Sequence, residues 1–148
     1  DQQLALNSYW EGIGASAMLP GTNRASDRFV RASHYIKTLP QTANNAEAIA
    51  GAFSVIRNVS APLGVSTPGQ PNVAATLWRT VSDHKNQRYY FESARTPNVF
   101  WVNLAEIDFS AGQPTKKLTL TGNAVFAGNT TAQFQTATPF KFLAADSQ

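Results

Sequence analysis

The spacing of apolar residues changes period once along this chain, and that change constrains the fold more than any other feature. From Asn23, a residue type that caps helix N-termini, Ala25, Phe29, Ala32 and Ile36 follow at i, i+4, i+7 and i+11. This spacing predicts a helix with one buried stripe, stopped before Pro40. Asn44 or Asn45 caps a second helix, in which Ala46, Ile49, Ala50, Phe53 and Ile56 repeat at the same period. Its small residues Ala48, Ala50, Gly51 and Ala52 permit close packing against a flat partner such as a sheet. From Ala74 onward the pattern alternates. Ala74–Ser82, Arg88–Ala94 and Val99–Leu104 are predicted strands, rich in Val, Thr and aromatic residues. Turns at His84–Gln87 and Thr96–Asn98 join them, and weaker strands are expected around Lys117–Thr121 and Gln133–Thr138. Gly and Pro cluster at residues 12–21, 61–71 and 110–114, which read as loops. Helices followed by a meander argue for an α+β fold, with helices layered on an antiparallel sheet.

The predicted strands carry large apolar groups on both faces: Leu77 and Val81 against Trp78, Phe91 against Tyr90, Trp101 against Phe100 and Val102. A sheet wetted on one side would alternate more cleanly. Both faces are therefore expected to be covered. Two helices suffice for one of them, and the other face calls for a cover not evident in these residues.

Composition excludes several kinds of chemistry. The 148 residues suit one domain, and only 14% are charged, against about 25% in an average domain. A net charge of +3 is too slight to argue for nucleic acid. No run approaches the roughly 18 apolar residues of a membrane span, so none is expected. The start at Asp1 has no basic and apolar leader and no initiator Met, which suggests a processed product or a piece of a longer chain. With no Cys, these residues can form neither a disulfide nor a thiolate metal site, and carry no cysteine nucleophile. HExxH, a phosphate-binding Gly loop and GxSxG are all missing from the sequence. His34 and His84 fall on a helix and in a turn, with nothing pairing them as metal ligands. The carboxylates are scattered without an acid/base pair, and Asp83 reads as a turn former. No metal and no cofactor are expected.

The densest stretch is Leu19 to Ser33, where a Pro-Gly turn enters a helix whose first two turns carry Arg24, Arg28 and Arg31. Arginine near a helix N-terminus opposes the macrodipole and is locally unfavourable. Arg28 lies beside the apolar stripe and is the candidate for a functional role. An ordinary alternative for the cluster is an Arg–carboxylate pair, such as Asp27 with Arg31 at i, i+4.

Residues 18–32, MLPGTNRASDRFVRA, resemble the LPG…S-x-R-F-V-R-A segment of the choloylglycine hydrolase family, which contains bile salt hydrolases and penicillin V acylases. Leu77 to Glu92, LWRTVSDHKNQRYYFE, resembles that family's T-x-W-x-x-V-x-D-x-K-N-x-x-Y-Y-F hairpin. Asn98 to Leu104 resembles its N-x-x-W-V-D-L strand, and Gln3 to Tyr9 its helix after a Thr-Asn-x-Pro stretch. The resemblance runs from about Gln3 to Ser110, and residues 111–148 form an unassigned C-terminal extension. It implies an αββα sandwich of the N-terminal nucleophile hydrolase type, to which this chain supplies helices and antiparallel strands. It also implies cleavage of linear carbon–nitrogen amide bonds by an N-terminal Cys thiol whose own α-amino group is the base. By the same resemblance the first Arg of R-F-V-R, Arg28, is the catalytic-site residue of the C-terminal half. A fixed guanidinium favours the thiolate and can hydrogen-bond the reacting groups. Arg31, one turn on, reads as a salt-bridge or packing residue.

The chain departs from the family in having no Cys, with Asp1 a few residues past the expected oxyanion Asn. The whole of residues 1–148 is therefore read as the C-terminal part of a single catalytic domain. An upstream segment carrying the nucleophile is the expected partner, and the chain alone is expected to be inactive. Expected substrates are small-molecule amides: penicillin V, conjugated bile acids or acyl-homoserine lactones. The Ala-, Asn- and Thr-rich composition and the tail favour the Gram-negative penicillin V acylase branch. The resemblance also implies a homo-oligomer, often a tetramer, and a periplasmic or secreted location, with the cytoplasm as alternative. The competing reading is a non-catalytic secreted binding domain using Trp78, Tyr89, Tyr90 and Trp101 as an aromatic surface.

Overall fold

The computed structural model describes residues 19–64, 69, 75–122 and 124–143. The helix expected at Gln3–Tyr9, the loop residues 12–18 and the start of the first strand at Ala74 lie outside these. The chain divides into two compact units, residues 1–81 with 92–97 and residues 82–91 with 98–148.

The first unit holds helices α1 (Ala25–Thr38) and α2 (Asn45–Asn58). α2 begins where the side chain suited to begin it stands: Asn44 Oδ1 accepts from the amides of Ala46 and Glu47 at 3.0 and 3.4 Å. It buries Phe53 and Val55, with Ile49 and Ile56 half-buried. Gly51 lets Leu39 pack close, because a Cβ there would stand 3.2 Å from Leu39 Cδ2.

α1 departs from expectation in two ways. Its N-cap is Arg24 rather than Asn23, and Arg24 makes no side-chain capping bond. Thr22 substitutes from outside the helix, its Oγ1 accepting from the Arg24 amide at 3.3 Å and donating to Asp27 in the first turn at 2.5 Å. A carboxylate there also favours the positive end of the helix dipole. The buried positions are Val30 and Arg31, whereas Phe29 and Ile36 of the expected stripe are 58% and 60% exposed. Periodicity marks an apolar face without saying what covers it, and α1 turns the Val30–Arg31 flank inward.

Strands β1 (Trp78–Asp83) and β2 (Arg88–Ser93) are joined by the turn at 84–87, where Asp83 accepts from the Asn86 amide and side chain at 3.1 and 2.8 Å. β3 (Val99–Asn103) follows, then the two-residue strands β4 (Lys116–Lys117), β5 (Gly128–Asn129) and β6 (Gln135–Thr136). The larger sheet has the order β1-β2-β3-β5, and β4 pairs antiparallel with β6. The weaker strands expected at 117–121 and 133–138 therefore shrink to β4 and β6, with a 3₁₀ turn at Thr131–Gln133. β5 pairs parallel to β3, with Phe100 opposite Gly128 and Trp101 opposite Asn129, a pairing the sequence reading did not contain.

Within the second unit, Tyr90 packs with Trp101 (centroids 5.5 Å apart) and Phe91 with Phe100 (5.2 Å). Phe126 meets Phe100 edge-on. Thr130, fully buried, bonds the Trp101 carbonyl through both its amide and its hydroxyl, at 2.9 and 3.1 Å. Tyr90 and Phe91 of β2 thus have aromatic partners on the neighbouring β3, while Tyr89 stays exposed.

Candidate active site

The site is built on the two ends of helices that meet in the first unit: the first turns of α1 and the last turn of α2. Residues 19–22 enter α1 as a turn, and Arg31 fixes that turn to the helix. Its buried Nη1 donates to the carbonyls of Pro20 and Thr22 at 2.6 and 2.9 Å. The Asp27–Arg31 alternative is not formed as an ion pair. Among the described residues the salt bridges are Arg57–Glu92 and Arg79–Glu92. Asp27 instead receives the hydroxyls of Thr22 and Ser26, and chiefly the Thr22 bond holds its carboxyl below the ordinary value.

Arg28 lies one turn before Arg31 and is half-buried. Its backbone amide closes the first helical turn on Arg24 O at 3.0 Å. Its Nε donates to the carbonyl of Val59, the C-cap of α2, at 2.6 Å. Cations are favoured at a helix C-terminus, where carbonyls lack partners. That bond fixes the plane of the guanidinium. Among the described residues the two Nη groups of Arg28 bond no protein group.

The last turn of α2 is itself held. Val59 N bonds Val55 O and Ser60 N bonds Arg57 O, each at 3.2 Å, while Ser60 Oγ donates to Ile56 O at 2.7 Å. Ser60 Oγ accepts from Arg79 Nε at 2.8 Å, and Arg79 Nη1 reaches Glu92 Oε2 at 3.1 Å. The buried Glu92 also accepts from Arg57 Nε and Nη2 at 2.9 and 2.5 Å. Arg57 lies over the Phe53 ring, 5.3 Å from its centroid. The sequence reading missed this cluster, because its members lie far apart in the chain and each looks like an ordinary surface charge.

His34 stacks edge-on with Tyr35, and His84 sits in the β1–β2 turn. Among the described residues no cluster of three His, Cys, Asp or Glu forms, and no helix is long and apolar enough to cross a membrane. Of the four aromatics in the binding-surface reading, Tyr90 is in the core, Trp101 is half-buried, and Trp78 and Tyr89 are exposed. A cleft of about 600 Å³ in the second unit is walled by Val102, Leu104, Ile107, Phe109, Lys116 and Phe134, none of them a candidate site residue in the sequence.

The chain superposes on the solved structure of a penicillin V acylase from Agrobacterium tumefaciens with a TM-score of 0.85 and 53% identity, over 98% of this chain and 47% of that one. This places it in the αββα class of N-terminal nucleophile hydrolases. A penicillin V acylase of Pectobacterium atrosepticum is 48% identical over 157 residues, which cover 96% of this chain and 42% of that protein. Residues 1–119 match the family of linear amide C–N hydrolases, choloylglycine hydrolase type. The chain belongs to the choloylglycine hydrolase family. It spans less than half the length of the relatives it matches.

Proposed function

We propose that this chain is the C-terminal part of a single catalytic domain that hydrolyses the side-chain amide of phenoxyacetyl penicillins, with Arg28 as its contribution to the reacting centre. One observation carries the assignment of Arg28: its guanidinium is anchored through Nε alone, leaving both Nη groups without a protein partner among the described residues. The arginines that hold the fold here each bond through a terminal nitrogen, Arg31 through Nη1 to two carbonyls and Arg57 through Nε and Nη2 to Glu92. The identity to two proteins named penicillin V acylases supports this substrate class over conjugated bile acids and acyl-homoserine lactones.

In this reading an upstream segment supplies an N-terminal Cys thiol, and its α-amino group takes the thiol proton. The sulfur attacks the amide carbonyl carbon, forming a thioester as the C–N bond breaks and the amine leaves with that proton. Water then hydrolyses the thioester to the acid and restores the thiol. Arg28 favours the thiolate by its fixed positive charge and donates from Nη to the reacting groups. Lysine would supply the charge without the planar fork.

The test uses the complete protein, assayed side by side on phenoxyacetyl penicillin, a glycine-conjugated bile acid and an acyl-homoserine lactone. The expected ranking in kcat/KM puts the penicillin first, and Arg28→Ala lowers hydrolysis of all three. A higher kcat/KM on the bile acid overturns the substrate, and hydrolysis by these 148 residues alone overturns the part-domain reading. Assembly into a homo-oligomer and export to the periplasm belong to the same proposal, tested by sedimentation of the complete protein and by cell fractionation.

A further inference from the structure

Three arginines converge on the C-terminal end of α2, and one buried carboxylate serves two of them. Arg57 and Arg79 both bond Glu92, while Arg28 takes the Val59 carbonyl. The terminal carbonyls of α2 are almost fully spoken for: Val55 O by Val59 N, Ile56 O by Ser60 Oγ, Arg57 O by Ser60 N, and Val59 O by Arg28 Nε. Ser60 is the joint. Its hydroxyl holds the helix end by donating to Ile56 O and is itself held by Arg79, whose other end is fixed by Glu92.

We infer that Glu92 is a positioning residue for Arg28, acting through Arg79, Ser60 and the Val59 carbonyl. The physical reason is competition as well as geometry. Unneutralised carbonyls at a helix C-terminus attract cations, and with Glu92 ionised the Arg57 and Arg79 guanidiniums are both satisfied on its two oxygens. Among the described residues Val59 O is then left to Arg28 alone. Remove the carboxylate, and Arg79 loses the group that aims its Nε at Ser60, while the half-buried Arg79 and the exposed Arg57 both gain a reason to seek the same helix end. Arg28 would keep its charge but lose its fixed plane. Small misplacements of a catalytic group are costly, a displacement near 1 Å being able to cost about a hundredfold.

This inference rests on the role proposed for Arg28, and the test separates the two. In the complete enzyme, the rate of alkylation of the N-terminal thiol by iodoacetamide is followed against pH, together with kcat and KM on phenoxyacetyl penicillin. Glu92→Gln keeps the shape and removes the charge. Ser60→Ala leaves both Glu92 ion pairs intact but removes the hydroxyl through which Arg79 reaches the end of α2, and decides the question if Glu92→Gln fails to fold. Each is expected to raise the midpoint of thiol alkylation and lower kcat about tenfold with KM near that of the parent. In an Arg28→Ala background neither change should shift the midpoint further. A lowered melting midpoint with an unmoved alkylation profile in both variants, while Arg28→Ala does move it, overturns the positioning role and leaves Arg28 standing. An unmoved profile in Arg28→Ala overturns the role of Arg28 and the inference with it.

Discussion

Replacing Arg31 by Met tests how the turn before α1 is held. Met keeps an unbranched apolar stem in the buried position and deletes only the guanidinium. The deletion removes two charge-assisted hydrogen bonds, to Pro20 O at 2.6 Å and Thr22 O at 2.9 Å. Hydrogen bonds to charged groups are each worth about 1.5 to 3 kcal/mol net, and here Thr22 is exposed enough for water to replace part of the loss. The loss is therefore about 2 to 4 kcal/mol of local stability. At about 1.4 kcal/mol per factor of ten, that is roughly a 30- to 700-fold change in an opening equilibrium. Native-state hydrogen exchange on the complete protein reads it directly, because the Arg28 amide, bonded to Arg24 O, is exposed only when the first turn opens. Peptides covering residues 23–31 should exchange faster by that factor, while peptides from β2 and β3 stay unchanged. Arg24→Met, at an exposed N-cap with no capping bond, is the control and should change exchange less than threefold. If Arg31→Met also changes it less than threefold, the carbonyl clamp is not what fixes the turn.

Two further outcomes follow from side chains at the helix starts. Asn44→Ala removes the acceptor shared by the Ala46 and Glu47 amides and should cost about 1 kcal/mol, seen as faster exchange across residues 45–50. Asp27, whose folded-state pKa is lowered from 3.8 chiefly by the Thr22 hydroxyl, contributes stability that is present above its unfolded value and lost as pH falls through its folded one. Thr22→Val should move the Asp27 carboxyl titration, followed by carbon-13 NMR with labelled Asp, upward toward 3.8, and an unchanged midpoint refutes the Thr22 contribution.

The sequence made some of this arrangement legible because the deciding interactions are local. Asn44 caps α2 with its own side chain, and Asp83 shapes its turn through Asn86 three residues on. The aromatic alternation located β2 and β3 to within a residue of their ends. What stayed hidden depends on distant partners. The Arg28 anchor lies 31 residues away at Val59, and Glu92 meets arginines 35 and 13 residues away. No spacing rule reaches across such separations. The stripe of Phe29 and Ile36 misled for a related reason, since an apolar face with nothing described against it looks the same in sequence as a buried one. β5 was invisible because two residues carry no period. Its Gly128, at φ 75° and facing the Trp101 ring, was the available signal. Arg28 itself was picked out by family resemblance, and its anchor through Nε, with neither Nη bonded among the described residues, adds a physical reason for the choice.

The most direct test of the account is kcat for phenoxyacetyl penicillin hydrolysis by the complete enzyme carrying Arg28→Lys or Arg28→Ala, with the melting midpoint measured alongside. Losing a preorganised donor at a reacting centre costs about 10²- to 10³-fold in kcat. A loss of that size is expected in Arg28→Ala and a substantial loss in Arg28→Lys, with both proteins folded. Activity within threefold of the parent in Arg28→Ala would contradict it.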